Sequence, residues 1–203
     1  MSGFFALLSS NGRRIPQDLA LQQLKAMAYR ADRAPRSEVL TEIALGQANF
    51  ATTLEAEREL LPACDQSGRF WLVWDGRLDN RENLSRQLGL DVATLERLTD
   101  ADLVLASYSR WGAGCVNRLL GEWAIVIWDA VAKRLFCAKD PMGSRPLYFG
   151  EHDGLGAARR AAAGVVQGAG ARGLILPDPP AQLRHAPAFL QHGLPLGDRK
   201  SVV

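Results

Sequence analysis

The sequence predicts an α+β domain in which helices are layered on antiparallel sheet. The segment 122–129 has strand character and apolar side chains on both faces, Trp123, Ile125 and Ile127 on one and Ala124, Val126 and Trp128 on the other. Such a strand must be covered on both sides, so its sheet lies inside the domain. The order of elements along the chain, a strand, a helix, strands, a helix and a closing set of strands, also favours the α+β class.

The N-terminal half supplies short strands and two helices. Apolar residues recur at helical spacing over 16–29, which predicts an amphipathic helix. The predicted strands are 2–8, a pair within 39–50, and 70–74, which ends at Asp75-Gly76; a second helix is predicted at 80–88. Residues 52–58 are predicted to form a loop.

The segment 100–149 carries the densest pattern. A helix is predicted to begin at Asp100, whose carboxylate can cap it. It ends at Gly112 and Gly114, because glycine accepts the left-handed conformation that helix ends often need. Strands at 122–129 and 134–139 are joined by a turn, and a third strand is predicted at 147–149.

Composition narrows the function classes. A chain of 203 residues with 47% hydrophobic residues can form one domain with a substantial core. The net charge is +2 and no basic run occurs, so neither nucleic acid nor a membrane is expected as a partner. The N-terminal apolar run is too short for a signal peptide, which predicts a cytoplasmic protein. The widely spaced Cys64, Cys115 and Cys137 predict buried or incidental thiols and no metal site.

Successive motifs in the C-terminal half carry a resemblance to a known family. They are Asp100-Ala-Asp102, Tyr108-Ser-Arg-Trp111-Gly112, Leu119-Leu-Gly121-Glu-Trp123-Ala124, Ile127-Trp128-Asp129 and Lys139-Asp140-Pro-Met-Gly143-Ser-Arg-Pro146-Leu147-Tyr148. In this order they resemble the glutamine amidotransferase domain at the N-terminus of asparagine synthetases and their relatives. The resemblance implies the four-layer αββα sandwich of N-terminal-nucleophile hydrolases, with a glutamine amidotransferase type 2-like domain at 1–150.

The same resemblance assigns candidate site residues. In the family, a Cys exposed by removal of the initiator Met attacks the side-chain amide of glutamine, and its own α-amine is the base. Here Ser2 stands at the nucleophile position, and Asp75 and Gly76 stand at the oxyanion-hole positions. Asn49 stands where the family has an Arg that binds the glutamine carboxylate. Asp100 matches the acid that holds the glutamine α-amine.

Several of these positions work against glutamine hydrolysis. Asn49 cannot replace a bidentate Arg, a loss of about 1.5–3 kcal/mol in substrate binding. An ionised Asp75 offers only acceptors, and losing one oxyanion donor costs roughly 10²–10³ in rate. Ser2 is compatible with activity, because serine serves as the N-terminal nucleophile in other hydrolases of this fold. The pattern predicts a degenerate glutaminase pocket, although Gly76 also fits a tight turn and Asp100 a helix cap.

A finer resemblance points to the parent enzyme. The start Ser2-Gly3 and the run 75–84 resemble lasso-peptide macrolactam synthetases and β-lactam synthetases. In those relatives this domain is a scaffold, and a second domain activates a carboxylate with ATP. The Ser-Gly-Gly-x-Asp-Ser phosphate loop of that second domain does not occur in this sequence. The resemblance therefore predicts no cofactor for this chain, ATP and Mg²⁺ for a missing synthetase domain with a small-molecule or peptide substrate, and a possible homodimer.

Residues 151–203 depart from the family pattern. The segment 154–173 is rich in Ala, Gly and Arg, and similarity to the family linker returns at 189–199. A frameshift, an insertion and a truncation are all compatible with this change. Because Gly- and Ala-rich sequence offers little apolar surface to offset its ordering entropy, residues 154–185 are predicted to be poorly ordered.

Three functions remain open at this stage. The leading one is a glutaminase-inactive N-terminal domain of an ATP-dependent amide-forming enzyme of the asparagine synthetase family. The second is an active N-terminal-serine amidohydrolase or glutaminase, which requires removal of Met1. The third is a non-catalytic module that docks to a separately encoded synthetase.

Overall fold

The computed structural model describes residues 2–9, 12–152, 155–159 and 174–175. The strands are β1 (Gly3–Ser9), β2 (Arg36–Val39), β3 (Ile43–Ala48), β4 (Ala63–Cys64), β5 (Phe70–Leu78), β6 (Gly121–Asp129), β7 (Arg134–Lys139), β8 (Tyr148–His152), β9 (Leu155–Arg159) and β10 (Leu174–Ile175). The helices are α1 (Gln17–Met27), α2 (Leu54–Glu57), α3 (Arg81–Leu88), α4 (Val92–Arg97) and α5 (Asp100–Trp111), with 3₁₀ turns at Ala28–Arg30 and Gly112–Arg118. None of the helices in these ranges is long and apolar enough to cross a bilayer.

Two five-stranded sheets form the centre of the domain. The first has the strand order β2-β3-β1-β9-β8, and the second has the order β10-β7-β6-β5-β4. All of these pairings are antiparallel except β10 with β7. The N-terminal strand β1 is therefore central in its sheet, between β3 and β9.

Three hydrophobic clusters separate four layers. One cluster packs α1 on the outer face of the first sheet, and a second fills the space between the two sheets. The third packs α3 and α5 on the outer face of the second sheet. Strand β6 contributes to both faces of its sheet, with Ile125 and Ile127 in the third cluster and Ala124 and Val126 in the second. This order of helix, sheet, sheet and helix confirms the predicted αββα sandwich, and the doubly apolar strand lies where that pattern required it.

The N-terminus of α5 corrects one prediction. Thr99 is the N-cap: its hydroxyl accepts from the Asp102 backbone N–H, and the Asp102 carboxylate accepts from the Thr99 backbone N–H. Asp100 lies one residue inside the helix and does not cap it, because the reciprocal capping box already satisfies this end. At the other end, Gly112 has a φ of +56° at the C-cap, as predicted for a glycine stop.

The segments 52–58 and 70–76 also differ from the prediction. Residues Leu54–Glu57 form the short helix α2, whose N-cap Thr53 accepts from the Ala56 backbone N–H. Strand β5 continues through Asp75 and Gly76 to Leu78, so Gly76 lies within a strand and not in a tight turn. The pairing of β5 with β6 extends the strand past the point where the apolar run ends.

The region after residue 150 is partly structured. Strand β8 crosses the expected domain boundary at 150, and β9 pairs with both β1 and β8. Strand β10 pairs with β7. Residues 155–159 and 174–175 pair with neighbouring strands, and the poor order expected over 154–185 stays a prediction. The other residues of 154–185 lie outside the described ranges.

The cysteines behave as the spacing predicted. Cys115 and Cys137 are buried in the core and unpaired, and Cys64 is partly buried. Burial raises the pKa of the Cys115 and Cys137 thiols to about 12. A thiol with so high a pKa is a poor nucleophile, so these side chains act as core residues.

Candidate functional site

The start of β1 places Ser2 against the ends of two other strands. The register of β1 with β3 sets Gly3 opposite Ala48, so Ser2 lies beside Asn49. The Ser2 hydroxyl is 3.1 Å from Asn49 Oδ1 and accepts from the Phe50 backbone N–H at 3.0 Å. The Ser2 backbone nitrogen donates to Asp75 Oδ1 at 3.2 Å. The nucleophile position, the former Arg position and one oxyanion-hole position therefore meet at one point.

Gly76 follows Asp75 at a close approach of two strands. A Cβ on Gly76 would lie 2.6 Å from Trp123 Cβ and 2.7 Å from the Glu122 carbonyl oxygen. Close packing of β5 against β6 thus requires glycine at this position whatever its role in chemistry. The presence of Gly76 alone is no sign of a working oxyanion hole.

Arg145 is the first residue of the site that sequence reasoning missed. Its guanidinium lies 3.7 Å from Asp75 Oδ2 and 3.1 Å from Glu122 Oε2, and its side chain is only 16% exposed. It occupies a variable position of the Lys139-to-Tyr148 motif, so the motif could not indicate it. The one signal in the sequence was an arginine within a family motif, at a position to which the motif assigns no role.

Glu59 is the second residue that was missed. Its carboxyl group is buried and accepts from Trp74 Nε1 at 3.2 Å and from the Ala101 backbone N–H at 3.1 Å. Burial raises the pKa of Glu59 to about 7, and the nearby Asp100 and Asp102 add to the shift. In sequence it is one of several charged residues between 55 and 59, a pattern typical of a solvated surface.

Asp100 is placed apart from the other predicted site residues. Its carboxylate accepts from the Leu78 backbone N–H at 2.8 Å and pairs with the Arg81 guanidinium. Arg81 also donates to the carbonyl oxygens of Leu95 and Leu98. Asp100 thus links β5 to the helical layer, with its carboxylate engaged inside the protein.

One cavity joins the remaining predicted residues to the two that were missed. The cavity measures about 20 Å³, room for about one water molecule. It is lined by Ser2, Asn49, Phe50, Thr52, Ala56, Glu59, Trp74, Asp75, Gly76 and Arg145. Within the described ranges, Asn49 Nδ2 and Arg145 Nε are buried donors that lack a hydrogen-bond partner. The cavity therefore has donors to offer a ligand, but its carboxylate stands where the resemblance expects an oxyanion donor.

Metal and nucleotide chemistry find no support in this cavity. Over the part of the chain that the structure describes, no group of three or more His, Cys, Asp or Glu side chains could hold a metal ion. ATP with Mg²⁺ needs oxygen ligands for the metal and a phosphate-binding loop. The residues of this cavity do not fit that pair of groups.

The αββα sandwich is the fold of the N-terminal-nucleophile class. The family described as "Glutamine amidotransferase domain" matches residues 48–162, more than half of the chain. The chain belongs to this glutamine amidotransferase family.

Curated relatives support the same assignment. A putative asparagine synthetase of Mycobacterium tuberculosis is 39% identical over 85 residues, which are 40% of this chain and 13% of that protein. Asparagine synthetase 3 of Bacillus subtilis is 29% identical over 96 residues, 47% of this chain and 16% of that protein. The chain thus spans only a small part of the length of these relatives. The matched region confirms similarity to an asparagine synthetase amidotransferase domain.

Solved structures support the fold alone. Glutamine phosphoribosylpyrophosphate amidotransferase of B. subtilis superimposes with a TM-score of 0.59 at 17% identity. The match covers 78% of this chain and 41% of that one. At this identity the likeness extends to the αββα sandwich and carries nothing about the reaction.

Proposed function

We propose that this domain is a glutaminase-inactive scaffold within an ATP-dependent amide-forming enzyme of the asparagine synthetase family. One observation carries the proposal: the Asp75 carboxylate lies 3.2 Å from the Ser2 backbone nitrogen, at the position where the family resemblance expects a neutral amide donor. A carboxylate there opposes both halves of the expected mechanism.

The first half is stabilisation of the oxyanion. An ionised carboxylate has no proton to donate, and negative charge on Asp75 would repel the developing negative charge of a tetrahedral intermediate. A missing donor costs roughly 10²–10³ in rate. Asn49 adds to the loss, because a neutral amide cannot hold the substrate carboxylate as a guanidinium does.

The second half is proton transfer from the nucleophile. If Met1 is removed, the Ser2 nitrogen becomes an α-amine beside Asp75, and a carboxylate neighbour favours the protonated ammonium form. An ammonium cannot accept the proton of the hydroxyl. In addition, the Ser2 hydroxyl lies within hydrogen-bond distance of Asn49 Oδ1, which directs its proton away from that nitrogen.

The parent enzyme would form an amide without ammonia from this cavity. We propose a macrolactam-forming enzyme, in which ATP activates a carboxylate and an amine already present in the substrate attacks it, or an asparagine-synthetase-like enzyme that takes up free ammonia. A synthetase domain supplies the ATP and Mg²⁺ sites, either in the same polypeptide or in a separate one to which this module docks. With no need for ammonia from glutamine, the glutaminase cavity can lose its catalytic residues.

An active N-terminal-serine amidohydrolase is the second candidate. It is favoured by one contact set: the Ser2 hydroxyl and backbone nitrogen both lie at the same cavity. This arrangement is what a serine nucleophile with an N-terminal base would need.

Ammonia release from L-glutamine by the purified full chain separates these candidates. We expect no release above the protein-free background, and no difference between the wild type and Ser2→Ala, because no step depends on the hydroxyl. Intact mass spectrometry of the same sample reports whether Met1 has been removed. Ammonia release that Ser2→Ala abolishes would establish the amidohydrolase and overturn the scaffold proposal.

A further inference from the structure

The cation of the cavity comes from a loop, not from the strand position that the family resemblance predicts. Asn49, at the end of β3, brings no charge. Arg145 reaches the cavity from the segment 140–145 that follows β7, and it lines the cavity opposite Asp75. A guanidinium is a preferred partner of carboxylates, because its planar N–H groups match their geometry.

A buried carboxylate holds the loop that presents Arg145. Asp140 is buried, and its two oxygens accept from the backbone N–H groups of Met142 at 3.0 Å, Ser144 at 3.2 Å and Arg145 itself at 3.4 Å. A fourth N–H, from Trp123, donates to Asp140 at 3.3 Å and ties the loop to β6. The position of the Arg145 backbone is thus set by the fold before any ligand arrives.

We propose that Arg145 is a carboxylate-binding group and that Asp75 of the same chain occupies it as an internal ligand. The cavity is then a small-carboxylate site that is already filled. This inference rests on the proposed function, because it explains how a charged side chain can remain at the oxyanion position of a non-catalytic cavity. A buried Asp with no counter-charge would be strongly destabilising.

Other charged groups around Asp75 are consistent with this pairing. The Ser2 nitrogen donates to one oxygen of Asp75, and Arg145 faces the other. The half-exposed Glu122 also pairs with Arg145. Glu59 lines the same cavity and accepts from the N–H groups of Trp74 and Ala101. Arg145 is therefore the cation that faces Asp75 among the side chains of the cavity lining.

The cavity keeps donors that Asp75 does not use. Asn49 is 8% exposed, and its Nδ2 has no acceptor within the described residues; the same holds for Arg145 Nε. Both residues line the cavity, so a carboxylate that replaced the side chain of Asp75 would find a cation and an amide donor. A buried unsatisfied donor is costly, which makes an incoming acceptor favourable.

A double-mutant cycle tests the internal pairing. Arg145→Gln should lower the folding equilibrium constant about 30-fold in the wild type and less than about threefold in Asp75→Asn, measured by urea unfolding at pH 8. The matched control is the Arg77–Asp79 pair on the exposed end of β5, where both side chains are 52% exposed and coupling should be less than about fivefold. Arg145→Lys should recover part of the loss, because it retains the charge. Equal cost of Arg145→Gln in both backgrounds would overturn the proposal.

A binding titration tests the carboxylate site itself. In Asp75→Ala, which vacates the space of the carboxylate, the cavity should bind acetate saturably, observed as shifts of backbone amide NMR signals at residues 48–50 and 75–76. Adding Arg145→Gln should abolish the saturable shifts. Absence of acetate binding in Asp75→Ala would overturn the inference without affecting the scaffold function, whereas Ser2-dependent ammonia release from the wild type would overturn that function without affecting the cycle.

Discussion

Two buried carboxylates near β5, Asp75 and Asp100, match family site positions but have different surroundings. Asp100 is bound by the Leu78 N–H and by Arg81, which also donates to two carbonyl oxygens of the helical layer. Asp75 lies at an open cavity and shares Arg145 with Glu122. One carboxylate has become part of the framework and the other remains at the cavity. Residue identity alone therefore does not reveal whether a carboxylate contacts ligand.

Glu59 extends this comparison with a third arrangement. It is buried near Asp100 and Asp102 and is held by two neutral N–H donors, from Trp74 and Ala101. Burial raises the pKa of Glu59 to about 7, and burial also raises the pKa of Asp100, although the Leu78 N–H and Arg81 lower it. Asp100 is thus ion-paired within the framework, Asp75 is paired at the cavity, and Glu59 lines the cavity as a titratable group.

The largest effect should come from breaking the framework pair. Arg81→Gln leaves Asp100 buried without its cation and removes two hydrogen bonds to the helical layer, so we expect a loss of about 3–5 kcal/mol in the free energy of unfolding. Urea unfolding monitored by tryptophan fluorescence measures it. Arg86→Gln, an exposed substitution on the same helix, should change stability by less than about 0.5 kcal/mol. Comparable losses in the two variants would show that Asp100 does not depend on Arg81.

A smaller, pH-dependent effect should come from Glu59. Because its pKa is raised from 4.5 to about 7 in the folded chain, the native state binds the proton more tightly than the unfolded state. The contribution of Glu59 to the free energy of unfolding is complete below about pH 4.5. It is lost as pH rises to about 7, a loss of up to about 3 kcal/mol. Glu59→Gln cannot ionise and should lack this loss.

Unfolding free energies at pH 5 and pH 8 test the role of Glu59. The difference between wild type and Glu59→Gln should change with pH, in favour of the variant at pH 8. Glu57→Gln, an exposed substitution two residues away, should follow the wild type at both pH values. A difference that is constant with pH would mean that Glu59 contributes only hydrogen bonds and packing.

The smallest loss of stability should come from removing the helix cap at Thr99. Thr99→Ala removes the hydroxyl that accepts from Asp102 N–H and should cost about 1 kcal/mol. In amide hydrogen exchange, this variant should lose protection first at the start of α5. If protection at the start of α5 stays unchanged, Thr99 is not the effective cap of this helix.

Much of the fold was predictable, and the failures have physical reasons. The doubly apolar segment of β6 correctly required cover on both faces, and the αββα order followed from the family motifs. The loop expected at 52–58 was wrong because Thr53 caps a single helical turn there. The strand at 155–159 was not predicted, because its partner β1 lies far away along the chain.

The candidate site was predictable only in part. Ser2, Asn49, Asp75 and Gly76, which were chosen by motif position, line one cavity. Motif position did not reveal that Asp100 pairs with Arg81 away from that cavity, because no sequence motif links these two residues. It also missed Arg145 and Glu59, since neither occupies a motif position with an assigned role.

The sequence alone determined the family and the layer order. These depend on local patterns, apolar periodicity and short motifs, which are legible along the chain. The tertiary structure decided which charges meet: Asp75 with Arg145, Asp100 with Arg81, and Glu59 with neutral donors. Such pairings join residues far apart in sequence, and they depend on strand register and on how a loop is folded by its own carboxylate, so no local pattern encodes them.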